Sequence, residues 1–348
     1  MRWVLTGRRQ LSLETIENSQ PLPESFKRLR VLYCAICRTD AKMWDEGHRD
    51  LVFPRVPGHE LVAADESGRR FVVWPGRVCG QCRYCRSGRE NLCIDIDIMG
   101  FHHDGGFAEN VTVPDSSLIP VPAEVSSPLA CFAEPVGCTV HALKRLRLQK
   151  NDRIIIYGGG TVGLIAALVC QSTGAIPLVI EKNAEKIHKI GNFLRHTGIR
   201  CVKETVDSEF DAALNACPDP AAFGLCMVKL GRGGRFAFFS GLKKNQDIET
   251  NLINLMHYKE IEIHGAYGLT RADMRAGLDI IAKYAMVFDR LIEGIEPFSR
   301  VPELMPTVLA GSSLKYILDF TVNRNGFHQG LVDHQAKKKI PPTGKKSS

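Results

Sequence analysis

The chain has 348 residues, of which 44% are hydrophobic and 24% charged, and its formal net charge is +7. This length favours two domains, and the composition is that of a globular protein with a sizeable core. Residues 322–348 carry six basic residues against one acidic residue, so the rest of the chain is nearly neutral. A neutral body has no basic surface for nucleic acid, which argues against that class of partner.

The two ends of the chain and its cysteines indicate a compartment. No apolar signal segment follows the first residues, and glycines interrupt the most apolar run, 154–170, which argues against a membrane span. Twelve cysteines in such a chain are expected to stay reduced. We therefore expect a cytoplasmic protein. The tail at 322–348 is predicted to be disordered, either as a solvated extension or as a segment that binds an acidic partner.

The first third of the chain has the pattern of a β-rich domain. Residues 28–33 alternate polar and apolar side chains, which predicts a half-buried strand. A further strand is predicted over residues 107–113, where Pro114 ends it. Prolines and glycines break the chain repeatedly between these two strands.

Four cysteines lie close together between these strands, at spacings of three, three and eight residues: Cys79, Cys82, Cys85 and Cys93. Thiolates at this spacing can surround one Zn²⁺ tetrahedrally, and Gly80 and Gly88 allow the backbone to turn tightly around the ion. The alternative is a set of unrelated thiols or disulfide partners, but disulfides are rare in a reducing compartment. We therefore predict a closed structural zinc site and call residues 79–93 the zinc lobe.

A glycine-rich turn follows in the middle of the chain. Residues 153–157 form a short β-branched run, and residues 158–163 then match Gly-x-Gly-x-x-Gly before an apolar helix. In this context Gly158 permits a tight turn, Gly160 lets a pyrophosphate approach the backbone, and Gly163 lets the helix pack on the strand. The amides at the start of the helix then hold the pyrophosphate. This pattern predicts a dinucleotide site.

The residue that ends the next strand bears on the choice of dinucleotide. Glu181 follows the apolar strand predicted over residues 177–180. A carboxylate there can accept hydrogen bonds from both adenosine ribose hydroxyls and would repel a 2′-phosphate, which favours NAD over NADP. Lys182 and Lys186 keep NADP open, because a cation can serve a phosphate. A helix-capping glutamate in a sheet without nucleotide is the other alternative.

Strands and helices alternate through the remainder of the middle region. A helix is predicted over 184–194, and buried strands over 210–216 and 235–239. This alternation indicates βαβ units and a parallel sheet. After about residue 286 the β pattern returns and ends in a strand at 314–320.

These patterns predict an α/β fold. A doubly wound parallel sheet, residues 132–285, is inserted into a β-rich domain formed by residues 1–131 and 286–321. The tail at 322–348 follows.

In combination, the motifs resemble the zinc-dependent medium-chain dehydrogenase/reductase family, and most of all its branch with sorbitol and threonine 3-dehydrogenases. The resemblance extends from Met1 to about Phe320, and the motifs occur in the family's order: Cys37-Arg38-Thr39-Asp40, Gly58-His59-Glu60, the zinc lobe, Asp104 to Glu109, Glu134-Pro135 and the glycine turn. It implies a Rossmann domain inserted into a GroES-like catalytic domain, and a homodimer or homotetramer.

The same resemblance implies a catalytic Zn²⁺ held by Cys37, His59 and Glu60. Glu134 would be a further ligand or would lie behind the water that the zinc holds. A thiolate, an imidazole and carboxylates from separate loops form a ligand set that suits a zinc with an exchangeable position. With the zinc lobe, this gives two zinc ions per chain.

The resemblance also assigns roles in hydride transfer from an alcohol to a nicotinamide. Thr39 would accept the proton of the alcohol and pass it outward, and Arg38 would reach the pyrophosphate. Val162 would line the cofactor cleft, while Glu181 and Lys186 would contact the adenosine end. We thus expect an oxidoreductase that acts on a secondary alcohol, such as a polyol or sugar-derived alcohol, with NAD, and that yields the ketone.

Two departures from the family pattern concern the substrate side. Lys42 stands where many relatives carry a histidine of the proton relay, and lysine normally stays charged. His48 is close in sequence and is either a substitute or a surface residue. The segment between Glu60 and Cys79 is also shorter than usual, which weakens any substrate analogy.

Three alternative functions also have to be considered from the sequence. An NADPH-dependent aldehyde or ketone reductase of the same family is the main alternative. A zinc-free quinone reductase is disfavoured because Cys37, His59 and Glu60 occur together. A zinc-binding regulatory or nucleic-acid module is suggested by the arginines of the zinc lobe, but Tyr84 is the lobe's one aromatic residue available for stacking.

Overall fold

The computed structural model describes residues 1–15, 21–242 and 247–322. All but the first residue of the predicted tail lies outside these ranges. Within them, no helix has the length and apolar character needed to cross a bilayer.

The first 144 residues are mainly β-structure. Their strands are β1 (Arg2–Gly7), β2 (Gln10–Glu14), β3 (Phe26–Ala35), β4 (Glu60–Ala64), β5 (Arg70–Val73), β6 (Gly76–Arg77), β7 (Asp97–Ile98), β8 (Asn110–Pro114) and β9 (Leu118–Pro120). Their helices are α1 (Arg38–Glu46), α2 (Arg83–Arg86), α3 (Ser127–Ala130) and α4 (Ala133–Lys144).

The middle and last parts alternate strands and helices. The strands are β10 (Arg153–Tyr157), β11 (Ile176–Ile180), β12 (Arg200–Val202), β13 (Phe210–Asn215), β14 (Leu230–Phe238), β15 (Glu262–Gly265), β16 (Ile292–Pro297) and β17 (Lys315–Asp319). The helices are α5 (Thr161–Ser172), α6 (Ala184–Lys189), α7 (Gly191–Thr197), α8 (Pro220–Lys229), α9 (Thr250–Lys259), α10 (Arg271–Lys283), α11 (Ala285–Phe288) and α12 (Val301–Ala310).

A seven-stranded sheet joins the two ends of the chain. Its order is β16-β17-β3-β4-β5-β9, and β8 also pairs with β3. β3 is long enough to pair with β17, β4 and β8, all antiparallel. Its alternating buried side chains pack on a core that includes Val31, Leu61, Phe107 and Leu318. β16 and β17 come from the end of the chain but belong to the same sheet as strands from its first third. The part of the chain that lies between the first third and β16 is therefore an insertion.

The inserted region forms a six-stranded sheet in the order β12-β11-β10-β13-β14-β15, with every pair parallel. The central strand β10 buries Ile154, Ile155 and Ile156 completely, as expected when helices cover both faces. Strand order reverses between β10 and β13, so their carboxyl ends form the crevice where such sheets bind ligands. The predicted α/β fold is confirmed.

The structure differs from the predicted elements at a few boundaries. The helix predicted over 184–194 is broken into α6 and α7 at Ile190, directly before Gly191. The strand predicted over 107–113 starts only at Asn110, because the preceding residues pack tightly against the 56–58 loop. There, a Cβ on Gly105 would lie 2.2 Å from the carbonyl oxygen of Gly58.

Candidate active site

One cleft is lined by residues from both sheets and has a volume of about 560 Å³. Its lining on the β-rich side includes Cys37, Arg38, Thr39, His59, Glu60 and Lys315, and α4 contributes Glu134 and Cys138. On the side of the parallel sheet, the lining includes Gly158, Gly160, Val162, Glu181 and Lys186. The residues predicted to bind metal and dinucleotide therefore share one cavity.

The start of helix α1 fixes the thiol of Cys37. Cys37 is the N-cap of the helix, and its sulfur accepts a hydrogen bond from the amide of Thr39 at 3.4 Å. The amide of Cys37 in turn donates to Oδ2 of Asp40 at 2.9 Å. These reciprocal bonds form a capping box, which orients the sulfur at the end of the helix.

Asp40 also ties this helix to the neighbouring loop. Its side chain is fully buried, and Oδ1 accepts from the amide of Gly58 at 3.2 Å and lies 3.3 Å from Nδ1 of His59. Gly58 has φ +96°, and a Cβ there would lie 2.5 Å from the ring of Phe107, so another residue would not fit. This packing places Glu60 at the first position of β4 and His59 directly before it. The sequence motif contained Asp40, but its role in joining the two loops was not predicted.

Cys37, His59 and Glu60 form a compact set of potential ligands, with one donor atom from each lying within 4.8 Å of the others. His59 Nδ1 and Glu60 Oε2 are buried, and each has one oppositely charged neighbour: Asp40 Oδ1 lies 3.3 Å from Nδ1, and Lys315 Nζ lies 2.8 Å from Oε2. Burial would lower the pKa of His59, but the negative charges of Asp40 and Cys37 outweigh it and raise the pKa. A sulfur, a buried imidazole and a buried carboxylate that converge in this way fit a zinc ion, which Cys37 would bind as the thiolate.

Lys315 is a buried partner of this set that sequence reasoning missed. Its Nζ donates to Oε1 of Glu60 at 2.9 Å and lies 2.8 Å from Oε2. The two side chains are 7% and 1% exposed. Burial would lower the pKa of Lys315, but the adjacent Glu60 carboxylate outweighs it, so the ammonium stays charged. The pair joins the starts of β17 and β4 across the end of β3, a contact 255 residues apart in sequence.

Glu134 lies beside this set but is not one of its members. Its carboxylate oxygens are not within 4.8 Å of all three ligand atoms. Burial raises the pKa of Glu134, and the charge of Glu60 raises it further, while His59 opposes this. The thiol of Cys138, one turn later on α4, donates to Oε1 at 3.2 Å. A direct bond from Glu134 to zinc therefore stays a prediction.

The four cysteines of the zinc lobe also converge, with their sulfurs within 4.8 Å of one another. The pairs Cys79–Cys93 and Cys82–Cys85 both have sulfur–sulfur distances of 3.5 Å. Zn–S bonds of about 2.3 Å place the corners of a tetrahedron about 3.8 Å apart, so this cage matches a ZnS₄ site. None of the four forms a disulfide.

The glycine turn has the geometry that its sequence predicted. Gly158 has φ +117°, and a Cβ on Gly163 would lie 1.8 Å from the carbonyl oxygen of Gly158. Gly160 is the N-cap of α5, and no atom would lie within 4 Å of a Cβ there. The turn is therefore closely packed at Gly158 and Gly163 and open at Gly160, which is the position predicted to face the pyrophosphate.

Glu181 is held at the end of β11 by three donors. Oε2 accepts from the amide of Gly159 at 2.9 Å and Oε1 from the amide of Asn183 at 3.0 Å, while Lys186 Nζ lies 3.0 Å from Oε2. Burial would raise the pKa of Glu181, but these donors lower it overall. Lys182 lies 3.6 Å from Asp219. Each of the two lysines thus has an acidic neighbour.

The remaining predicted residues lie along the same cleft. Arg38 is exposed and donates to the carbonyl oxygen of Leu309 at 3.3 Å, beside Gly311 at the end of α12. Thr39 is partly buried and lines the cleft, as does Val162 at the start of α5.

The positions that depart from the family pattern lie near this site. Lys42 lines the cleft. His48 is exposed and its ring packs edge-on against Phe101, whose ring lies 5.8 Å from that of His59. The shortened segment forms a tight turn at 65–69, where the side chain of Asp65 accepts from the amide of Arg69 at 3.0 Å.

Comparison with known proteins identifies the family. A family model of the alcohol dehydrogenase GroES-like domain matches residues 27–123. An L-threonine 3-dehydrogenase of Vibrio parahaemolyticus is 30% identical over 326 residues, covering 84% of this chain and 91% of that protein. The chain belongs to the zinc-dependent medium-chain dehydrogenase/reductase family.

Two further similarities agree with this membership. An L-galactonate-5-dehydrogenase of Escherichia coli is 25% identical and covers 81% of this chain and 88% of that protein. The crystal structure of 2R,3R-butanediol dehydrogenase from Bacillus subtilis covers 91% of this chain and 99% of that one, with a TM-score of 0.80 and 20% identity. That likeness supports the fold. As a member of this family, the protein is a zinc-containing oxidoreductase that acts on CH–OH groups.

Proposed function

We propose that this family member transfers a hydride between a secondary alcohol and NAD and yields the ketone. The observation that supports this most strongly is that Cys37, His59 and Glu60 line the same cleft as the glycine turn. A substrate beside these three residues would face a nicotinamide whose pyrophosphate lies at the start of α5. The proposal needs both sites to be in one cavity, because a hydride moves only between groups in contact.

The residues of the cleft would have separate roles in the reaction. Cys37, His59 and Glu60 would hold the zinc, and Thr39 would accept the alcohol's proton. Zinc, when bound, supplies the Lewis acidity that makes an alcohol easier to deprotonate, and NAD accepts the hydride. Glu134, whose pKa is raised chiefly by burial, can take part in hydrogen bonds beside the metal as donor or acceptor.

The preference for NAD rests on the charges near Glu181. This carboxylate stays ionised and would accept bonds from the ribose hydroxyls, while it would repel a 2′-phosphate. Lys186 lies against that same carboxylate and Lys182 lies near Asp219, so neither is a free cation for a phosphate. Arg38 also lines the cleft and would reach the pyrophosphate as a charged donor.

The substrate class follows from the relatives. The names of two curated relatives specify oxidation at carbon 3 of threonine and carbon 5 of galactonate, which are both secondary alcohol carbons. We extend that class to this chain, without choosing among polyols, sugar-derived alcohols and similar compounds.

The proposal also covers assembly, compartment and domains. β15 is an edge strand of the parallel sheet, so it can pair with the same strand of a second copy in a homodimer or homotetramer. A cytoplasmic location suits the twelve cysteines, none of which is in a disulfide. We assign residues 1–131 and 286–321 to the catalytic domain and residues 132–285 to the Rossmann domain, because β16 and β17 pair within the sheet that contains β3.

A panel of secondary alcohols and ketones, assayed with NAD(H) and NADP(H) under identical conditions, tests this function. We expect NADH formation with at least one secondary alcohol, and a higher kcat/KM with NAD than with NADP. Primary alcohols of the same length are the matched control. Turnover confined to NADPH-dependent reduction, or no turnover with any member of the panel, would refute the proposal.

A further inference from the structure

A buried amide connects two strand ends on the dinucleotide side of the cleft. Asn215 is the last residue of β13 and is completely buried. Its Oδ1 accepts from the amide of Phe239 at 2.8 Å, and its Nδ2 donates to the carbonyl oxygen of Ser240 at 2.7 Å. A longer bond of 3.4 Å runs from Nδ2 to the carbonyl oxygen of Cys217. An amide N–H only donates and a carbonyl oxygen only accepts, so these contacts fix the orientation of the side chain.

These bonds continue the connection between β13 and β14 past the last residues that the two strands pair. The register of the strands ends with Leu214 opposite Ala237. Beyond that point, the amide of Ser240 donates to the backbone carbonyl of Asn215 at 3.1 Å, and the Asn215 side chain adds its two short bonds. Asn215 therefore makes the three hydrogen bonds that hold Phe239 and Ser240 where the chain leaves the sheet.

The backbone that Asn215 holds forms part of the cleft wall. Phe239, Ser240 and Gly241 line the cavity at the carboxyl end of β14, and Cys217 lines it after β13. Asn215 itself is completely buried, so any effect that it has on a bound ligand must pass through these segments.

The order of the strands indicates which half of the dinucleotide this wall would face. A Cβ on Gly159 would lie 2.7 Å from Cβ of Glu181, while a Cβ on Gly158 would lie 2.9 Å from the carbonyl oxygen of Ala216. The glycine turn thus lies between the ends of β11 and β13. With the adenosine ribose at Glu181 and the pyrophosphate at the turn, the other nucleotide extends towards β13 and β14. β14 is three strands from β11, about 14 Å at about 4.8 Å per strand, so its end would face the nicotinamide half.

We propose that Asn215 is a positioning residue for the nicotinamide half of the cofactor: it fixes the backbone of Phe239 and Ser240, against which that half would lie. A displaced segment would weaken the binding of this half and move the ring relative to the alcohol, and a hydride moves only between groups in contact. This inference rests on the proposed function, since it takes the dinucleotide to lie across the glycine turn beside the substrate.

Asn215→Asp tests the proposal, because it keeps the volume and the acceptor for Phe239 but places an oxygen against the Ser240 carbonyl. We expect the Kd for NADH, measured by fluorescence titration, to rise about tenfold, because binding must then restore a segment that contains an unpaired buried carbonyl. ADP has the adenosine half and the pyrophosphate but no nicotinamide, so its Kd, measured by calorimetry, should stay at the wild-type value. Glu181→Ala is the complementary variant and should weaken both ligands, since both contain the adenosine ribose.

Arg235→Met is the matched control for general damage to the parallel sheet. Arg235 also lies on β14, but its guanidinium donates to the carbonyl oxygen of Leu146 and to Asp152, both at 2.7 Å, and both residues precede β10. These contacts are at the amino end of β10, away from the glycine turn that follows its carboxyl end. We expect this variant to lower thermal stability and to leave both dissociation constants unchanged.

An unchanged NADH affinity in Asn215→Asp, or equal losses of ADP and NADH affinity, would overturn the inference. Alcohol turnover by the wild type tests the proposed function separately. A wild type that binds NADH but oxidises no alcohol would refute that function and leave the two affinities to decide the inference, whereas a wild type that binds no NADH would refute both. Asn215→Ala gives the same readouts if the Asp variant does not fold.

Discussion

The buried pair of Lys315 and Glu60 gives the sharpest energetic prediction. Lys315→Met keeps the length of the side chain and removes its charge, which leaves the Glu60 carboxylate buried without a cation. At the observed 2.8 Å, the attraction between unit charges is about 6 kcal/mol at an effective dielectric constant of about 20. Removing one partner of such a pair costs about 3–5 kcal/mol, because the remaining charge stays in a poor solvent.

A zinc ion bound by Glu60 should reduce this loss, because it supplies another cation beside the carboxylate. We therefore expect Lys315→Met to lower the free energy of unfolding by about 3–5 kcal/mol in a Cys37→Ser background and by less in the zinc-loaded wild-type background. The Cys37→Ser background lacks one ligand of the catalytic site but keeps all four cysteines of the lobe. The double change of Glu60→Gln and Lys315→Met should recover most of the loss, since both buried charges are then gone.

Urea unfolding followed by tryptophan fluorescence measures these values in the relevant part of the molecule. The chain has three tryptophans, Trp3, Trp44 and Trp74, all in the region that supplies most of the seven-stranded sheet. A loss below about 1 kcal/mol in both backgrounds, or a double variant no more stable than Lys315→Met alone, would contradict the reasoning.

Three other predictions follow from single contacts. Burial lowers the pKa of His103 to about 4. Between this value and the unfolded pKa of about 6.5, only the unfolded chain binds the proton. The free energy of unfolding should therefore fall by up to about 3 kcal/mol as pH drops across that range. His103→Asn should flatten this dependence of stability on pH, as measured by urea unfolding. Glu181→Ala should weaken NADH binding about tenfold or more and NADPH binding less, as fluorescence titration would show; an unchanged ratio would contradict its ribose role. Gly163→Ala should destabilise the protein by about 1–3 kcal/mol through the clash with Gly158, whereas Gly160→Ala should leave thermal stability unchanged and weaken NADH binding; equal stability of both variants would contradict this account.

The sequence was informative where a function depends on residues that are close along the chain. The spacing of Cys79, Cys82, Cys85 and Cys93 predicted a zinc cage, and their sulfurs do converge. The glycine turn was also readable, because steric limits at Gly158 and Gly163 act within one strand–turn–helix unit. The parallel sheet could be predicted because its central strands β10, β11 and β13 are short and mainly apolar runs.

Contacts between distant segments could not be read in this way. Nothing in the sequence near Lys315 indicated that it pairs with Glu60, since the two meet only when β17 and β4 flank β3. The role of Asp40 could not be predicted for the same reason, because it looked like part of a motif rather than a bridge between two loops. The break of the predicted helix at Ile190 shows a further limit, because periodicity continued through a site where the chain changes direction.

A zinc ion held by Cys37, His59 and Glu60 beside a bound nicotinamide is the basis of the proposed alcohol oxidation. It is tested most directly by measuring zinc per chain and alcohol-dependent NADH formation in the same preparations of wild type and Cys37→Ser. We expect about two zinc ions with turnover in the wild type, and about one zinc ion with no turnover in the variant. A Cys37→Ser protein that keeps both its second zinc and its activity would contradict it.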